Sequence, residues 1–155
     1  MPVQTYPPLG QLVDVGGYRL HIVCIGEGSP TVVLEAGLIG LVLAWSLVQP
    51  NISHFTRVCA YDRAGYGWSD PNPTEIPPTS QRLIHELHTL LLNTSVEGPY
   101  ILVAHSFGGL NARLFAHEYP HETAGLVWLI QPTSLPTRAS VRRAASLCRS
   151  VCRKA

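Results

Sequence analysis

One serine stands where a nucleophile could be presented to a substrate, within residues 104–108 (A-H-S-F-G). The apolar run 100–104 before it predicts a buried strand, and residues 108–118 after it predict a helix. A sharp turn from strand to helix strains the backbone at Ser106 and exposes its hydroxyl, as attack on an acyl carbon requires. A serine that merely caps the helix is the alternative interpretation.

Small residues must flank such a serine, because bulkier side chains two positions away on either side would collide within the turn. Ala104 and Gly108 occupy these positions, and Gly109 follows. Glycine is usual at the first position, so Ala104 is a departure that the turn can tolerate but that tightens it. The free N–H groups at the helix start predict that the Phe107 amide forms half of an oxyanion hole.

The other half of the oxyanion hole is expected on the loop after the buried run 31–35. Sites in open parallel sheets lie outside the carboxyl ends of the strands, and this loop begins at such an end. The Leu38 amide is the natural donor there, and Gly37 allows close approach.

No acid and base to complete a catalytic triad are found after Ser106. For enzymes that present a serine on a strand-to-helix turn, the order along the chain is serine, then Asp or Glu, then His. The only acids and histidines that follow lie at or beyond the far end of the predicted helix, about 16 Å away at 1.5 Å per residue. Gln131 stands where an acid could follow the next strand. The excluded residues are His117, Glu118, His121 and Glu122, and the earlier histidines His21, His54, His85, His88 and His105 are poor substitutes, with His85 and His88 expected to face solvent.

The wider pattern alternates buried strands with helices, which predicts an α/β fold with a mostly parallel sheet. A hairpin signal around Gly16-Gly17 adds antiparallel strands at one edge. A long loop rich in Gly, Pro, Asp and Ser spans residues 62–78. The expected strands are 11–15, 18–24, 31–35, 57–61, 100–104 and 125–130, and the expected helices are 44–55, 79–93 and 108–118.

Three motifs together resemble the α/β-hydrolase superfamily, in particular its esterase-like members: L-E-A-G (34–37), Y-D-R-A-G-Y-G-W-S-D (61–70) and A-H-S-F-G-G-L (104–110). The resemblance implies that Ser106 is the nucleophile, that His105 is its non-catalytic neighbour, and that Leu38 and Phe107 are the oxyanion amides. It also assigns supporting roles to the second motif. There Asp62 and Arg63 hold the loop, Gly65 and Gly67 allow its turns, and Trp68 and Ser69 line or support the pocket.

The resemblance covers only the first half of such an enzyme, so we expect a sheet truncated after about its sixth strand. Residues 1–132 are interpreted as the N-terminal part of the core. Residues 133–155 are interpreted as a basic amphipathic tail that begins a lid, with a membrane-surface helix as the alternative. A second polypeptide could complete the fold. In a truncated sheet the strand 125–130 would be an apolar edge strand, which predicts poor solubility of the isolated chain.

Composition excludes several classes of protein. Of 155 residues, 46% are hydrophobic and 14% are charged, which excludes a disordered protein. Residues 1–137 carry five basic and ten acidic side chains, whereas residues 138–155 carry six basic and no acidic ones. This tail alone does not indicate nucleic-acid binding, and a membrane partner is not expected. No G-x-G-x-x-G motif indicates a dinucleotide, and no cofactor or metal is expected.

The four cysteines, Cys24, Cys59, Cys148 and Cys152, form no C-x-x-C motif, and the chain opens without a signal peptide. We therefore expect free thiols in a reducing, cytoplasmic setting.

The function predicted is hydrolysis of a small-molecule ester, a small apolar one by default, through acyl transfer to Ser106. Because the triad is incomplete, this chain alone is expected to be weakly active at most. A non-catalytic binding or interaction module of the same fold is the alternative.

Overall fold

A computed structural model describes residues 8–74, 76–129 and 138–153. Its six strands form one sheet in the order β1-β2-β4-β3-β5-β6. The pairs β1–β2 and β2–β4 are antiparallel, and β3–β4, β3–β5 and β5–β6 are parallel. The predicted α/β class with an antiparallel N-terminal hairpin is thus confirmed. The strands are β1 (Gln11–Asp14), β2 (Arg19–Ile25), β3 (Thr31–Glu35), β4 (Val58–Tyr61), β5 (Tyr100–His105) and β6 (Thr123–Leu129).

Helices cover both faces of the sheet, because its central strands are apolar on both sides. Every residue of β3 and β4 is buried. One face packs against α2 (Ser80–Asn93) and α3 (Gly108–Glu118). The other packs against a 3-10 turn (Val42–Trp45), α1 (Gln49–Ile52) and α4 (Arg138–Cys152). Two separate apolar cores result, one on each side of the sheet.

Helix α2 forms where the sequence places it. The Thr79 hydroxyl accepts a hydrogen bond from the Arg82 amide at 3.2 Å and so caps the N-terminus. Leu83, Leu87 and Leu90 are buried on one stripe of the helix, which attaches it to the sheet. Helix α3 likewise spans the predicted residues 108–118.

The single helix predicted over residues 44–55 is wrong. The chain forms the 3-10 turn and the four-residue helix α1 instead. Pro50 lies in the first turn of α1, where its missing N–H is not needed. Further along a continuous helix, the same proline would remove a backbone hydrogen bond and clash with the preceding turn. The proline therefore starts a second, short helix.

The prediction that Cys24 and Cys59 are free thiols is also wrong, because they form a disulfide. The two residues oppose each other directly in the antiparallel register of β2 and β4, with their Cα atoms 4.1 Å apart. The disulfide removes the argument on which a reducing compartment rested, since such bonds persist mainly in oxidising surroundings. Cys148 and Cys152 are free.

Helix α4 packs on the sheet through its apolar side. Cys148 is fully buried in the core beneath α1, β5 and β6. A Cβ at Gly125 of β6 would lie 2.7 Å from a Val151 methyl carbon, and the Arg149 guanidinium stands 4.9 Å from the Phe55 ring centroid. That the tail begins a lid stays a prediction. No helix in the described ranges combines the length and apolarity needed to cross a membrane.

Candidate active site

Ser106 has a backbone conformation that side chains rarely adopt, with φ of 51°. It stands between β5 and α3, and its carbonyl accepts the Gly109 N–H at 2.9 Å. No side-chain hydrogen bond caps the start of α3. Positive φ at a residue with a Cβ costs free energy and persists only where surrounding structure enforces it. The conformation is that of a sharp strand-to-helix turn, and simple capping does not explain it.

The glycines after the serine let the turn fit between two neighbouring strands. A Cβ at Gly108 would lie 2.5 Å from the carbonyl oxygens of Glu35 and Ala36, at the end of β3. A Cβ at Gly109 would lie 2.3 Å from the Trp128 ring on β6. At Gly108 the obstacle is backbone, so that position requires glycine, whereas a Cβ at Gly109 would have to displace the half-exposed Trp128 ring. The predicted small residue Ala104 is buried in β5.

The loop after β3 reaches the serine turn, as the sequence predicts. A Cβ at Gly37 would lie 3.1 Å from the His105 Nδ1 atom, so this glycine permits close approach. The Leu38 side chain is 71% exposed at this edge. Within the described ranges, neither the Leu38 amide nor the Phe107 amide donates a hydrogen bond. Both N–H groups are thus without a hydrogen-bond acceptor in the described part of the chain.

A buried ion pair lies beneath that loop. The Arg63 Nη2 atom donates to the Glu35 carboxylate at 2.6 Å, and both side chains are buried. Burial opposes the guanidinium charge, but the Glu35 carboxylate outweighs it, and the pKa of Arg63 lies above its usual value. Glu35 also accepts from the Tyr61 hydroxyl at 2.5 Å and from the Asn111 amide at 2.9 Å. Burial and the Glu35 carboxylate raise the pKa of Tyr61.

Arg63 reaches further than the resemblance implied, because it contacts the loop after β3 rather than only its own loop. The Nη1 atom donates to the Gly37 carbonyl at 2.6 Å, and Nη2 donates to the Ala36 carbonyl. Sequence analysis missed the Glu35 and Asn111 partners. The signal available was a glutamate closing the otherwise apolar run T-V-V-L-E, because an acid buried in a central strand requires a cation.

Asp62 organises the loop that follows β4. Its carboxylate accepts from the Val42 amide at 2.7 Å and from the Trp68 amide at 3.2 Å. A Cβ at Gly67 would lie 2.2 Å from the same carboxylate, and Gly67 has φ of 53°. Gly65 has φ of 79°. The two glycines therefore sit where the loop needs conformations that other residues disfavour.

His21 joins this network from β2, which sequence analysis did not foresee. Its Nδ1 atom lies 2.7 Å from the Asp62 carboxylate, and its Nε2 atom lies 2.8 Å from the Leu9 carbonyl. Since both partners only accept, the imidazole donates from both nitrogens and carries a charge. Burial disfavours that charge, but these two hydrogen bonds outweigh it and raise the pKa of His21. Its amide donates to the Ser69 hydroxyl at 2.8 Å, and its ring stands 5.2 Å from the partly exposed Trp68.

No acid and base reach Ser106 among the described residues. The pair His21–Asp62 resembles half of a triad, but β2 and β5 are separated by β4 and β3, which is about 14 Å at 4.8 Å per strand. His117 and His121 are exposed near the far end of α3. Gln131 lies outside the described residues.

His88 does not face solvent, contrary to the prediction. It stacks on Tyr119 with ring centroids 3.9 Å apart, and its Nε2 atom lies 3.1 Å from the Glu122 carboxylate. Glu122 therefore pairs with His88 of α2 and not with Ser106. The exposed His85 lies on α2 as expected.

Comparison with known proteins agrees with the fold. A family model described as the alpha/beta hydrolase fold matches residues 30–147. The 2-hydroxy-6-oxo-2,4-heptadienoate hydrolase of Pseudomonas putida is 29% identical over 121 residues, which cover 77% of this chain and 43% of that enzyme. An uncharacterized protein of Schizosaccharomyces pombe is 32% identical over 151 residues, covering 77% of this chain and 28% of that protein.

The structural neighbours include the epoxide hydrolase of Vigna radiata, with a TM-score of 0.70 and 25% identity. The superposition covers 83% of this chain and 40% of the plant enzyme. This chain thus spans less than half the length of each of these relatives. Because the family model matches well over half of the 155 residues and the neighbours share the sheet, the chain belongs to the alpha/beta hydrolase fold family.

Proposed function

We propose that this chain carries the nucleophile and the oxyanion donors of an ester-type serine hydrolase. The observation that carries the proposal is the φ of 51° at Ser106, between a buried strand and a helix. Ser95 has a similar φ of 52°, so it is the position of Ser106 directly after β5, at the carboxyl end of a parallel strand, that points to a reactive group. The names of the relatives, among them a heptadienoate hydrolase and an epoxide hydrolase, support hydrolytic chemistry in the family.

In the proposed reaction, the Ser106 oxygen forms a bond to the ester carbonyl carbon while its proton passes to a base. The electron pair of the C=O bond moves onto oxygen, and the Leu38 and Phe107 amides donate hydrogen bonds to that oxyanion. Collapse of the tetrahedral intermediate breaks the bond to the alcohol, which leaves with a proton. Water then attacks the acyl group and regenerates the Ser106 hydroxyl.

The base and its orienting acid come, in this proposal, from outside these 155 residues. A second polypeptide that adds strands beside β6 is one source consistent with the topology. The chain alone then retains only the weak catalysis that an oxyanion hole and substrate binding provide. The substrate proposed is a small apolar ester, because Leu38, Ile39 and Leu43 expose 71%, 63% and 75% of their surface near the loop after β3.

A non-catalytic binding module is the second candidate. It is favoured by one specific observation, that no described histidine or carboxylate lies within proton-transfer reach of Ser106. The two candidates differ in what Ser106 does, because only an enzyme forms a covalent acyl group there.

The deciding experiment is incubation of the purified chain with p-nitrophenyl acetate, followed by peptide mapping by mass spectrometry. We expect an acetyl group on Ser106 and slow release of p-nitrophenol. Ser106→Ala should abolish both, whereas Ser146→Ala, at an exposed serine of α4, should leave both unchanged. Equal turnover by the wild type and Ser106→Ala would favour the binding module and remove the enzyme proposal.

A further inference from the structure

The loop of residues 36–40 is wrapped around the Arg63 side chain. Carbonyl oxygens of Ala36, Gly37 and Leu38 all accept from its guanidinium, and the Gly40 carbonyl accepts the Arg63 backbone N–H at 2.9 Å. A Cβ at Gly40 would lie 2.6 Å from the Arg63 Cγ atom. The shape of this loop is therefore set by one side chain that comes from a different strand end.

The orientation of the Leu38 amide follows from this contact. The peptide bond between Gly37 and Leu38 is trans, so its C=O and N–H groups lie in one plane and point in opposite directions. Arg63 holds the Gly37 oxygen at 2.6 Å on the buried side. The Leu38 N–H consequently points away from the guanidinium that holds the Gly37 oxygen.

The same guanidinium also lies against the side chain of Phe107, the residue whose amide is the second half of the proposed oxyanion hole. Its Cζ atom lies 5.5 Å from the centroid of the Phe107 ring, in a cation–π contact. Glu35 fixes the guanidinium in turn, through an ion pair at 2.6 Å. One buried cation therefore contacts both residues whose amides would bind the oxyanion.

We propose that Arg63 is a positioning residue that aims the Leu38 N–H by holding the Gly37 carbonyl, and that it polarises this peptide into a stronger donor. Polarisation follows because a hydrogen bond from a cation to the carbonyl draws electron density from the linked N–H. The inference rests on the proposed function in one respect, that the Leu38 N–H binds an oxyanion during catalysis. The orientation of the Leu38 amide is a property of the chain itself.

The test uses Arg63→Lys, which keeps the charge but replaces the planar, five-donor fork with a single ammonium. Amide ¹H–¹⁵N spectra report the Leu38 N–H directly. Phenylboronic acid reports the oxyanion hole, because boron accepts the Ser106 oxygen, the hydroxyl proton passes to buffer, and a boronate anion occupies the hole. Arg113→Lys, at an exposed arginine of α3, is the matched control.

We expect Arg63→Lys to shift the Leu38 amide resonance and to weaken boronate binding by about tenfold, which is less than the loss of about 10²–10³-fold seen when one oxyanion donor is removed outright. Arg113→Lys should change neither quantity. An unchanged Leu38 resonance in Arg63→Lys would overturn the inference. If the wild type binds no boronate while the Leu38 resonance still responds to Arg63→Lys, the positioning role stands and the proposed nucleophile fails.

A second variant tests the inference if Arg63→Lys does not fold. The pair Glu35→Met/Arg63→Met removes both charges together and keeps similar volume, whereas removing one partner alone leaves a buried charge unpaired. The double variant should fold, and its Leu38 amide resonance should also shift from the wild-type position. A folded double variant with wild-type Leu38 resonance and boronate affinity would overturn the inference.

Discussion

At the scale of single residues, buried charge is concentrated on two networks beside the site. Arg63 pairs with Glu35 under the loop after β3, and His21 pairs with Asp62 under the loop after β4. Each pair connects a loop to a strand of the sheet. Removing one partner of such a buried pair lowers the free energy of unfolding by about 3–5 kcal/mol, because the other charge is left unpaired. The loops after β3 and β4 are therefore held by charge as well as by packing.

The His21 pair predicts a pH-dependent stability. Because the pKa of His21 is raised in the folded chain, its contribution is fully present below the unfolded value near 6.5 and is lost as pH rises through the folded pKa. Urea unfolding of the wild type and His21→Gln from pH 5 to about pH 9 checks this. The stability gap should be widest at the acidic end and should narrow toward alkaline pH.

His54→Gln, at an exposed histidine, is the control for that series and should not reproduce the trend. A gap between the wild type and His21→Gln that is constant with pH would show that the imidazole is not charged in the folded chain.

At the scale of elements, the disulfide joins the antiparallel hairpin to the parallel part of the sheet. Cys24 lies on β2 and Cys59 lies on β4, 35 residues apart in sequence. The bond therefore cross-links β2 directly to the central sheet, and β1 is attached through its antiparallel pairing with β2. The strand that carries His21 is thereby held in register.

Closing a loop of this length predicts that reduction lowers the free energy of unfolding by about 2–4 kcal/mol. We expect a lower Tm for the wild type in a phosphine reductant than without it. The double variant Cys24→Ala/Cys59→Ala should melt near the reduced wild type and should not respond to the reductant. A wild-type Tm that is unaffected by complete reduction would contradict this.

At the scale of the whole molecule, the described sheet ends at β6 on one side. Leu126 and Trp128 of this strand expose 43% and 47% of their surface. An apolar edge strand offers unpaired backbone groups to any other strand, including one from a second copy. The same edge is where a second polypeptide would add strands in the proposed function.

We therefore predict that the purified chain self-associates, and that Leu126→Lys shifts it toward the monomer because a charge on an edge strand opposes pairing. Sedimentation over a range of concentrations measures this. Leu92→Lys, at an exposed leucine of α2, should leave the association unchanged. Monomeric behaviour of the wild type at high concentration would refute the prediction.

The sequence by itself determined the parts of the molecule that depend on local pattern. Continuous apolar runs defined the central strands, the leucine stripe defined α2, and the small residues around Ser106 defined the turn. Helix rise alone also places His117 too far from Ser106 for proton transfer, and in the described residues it is exposed near the far end of α3. These inferences hold because each depends on neighbours close in sequence.

The tertiary structure decided what depends on strand order. The pairing of β2 with β4 brought Cys24 against Cys59 and His21 against Asp62, although each pair is distant in sequence. The adjacency of β3 and β4 allowed Arg63 to reach the loop of residues 36–40. No local pattern encodes such contacts, because only the register of non-consecutive strands sets which side chains meet.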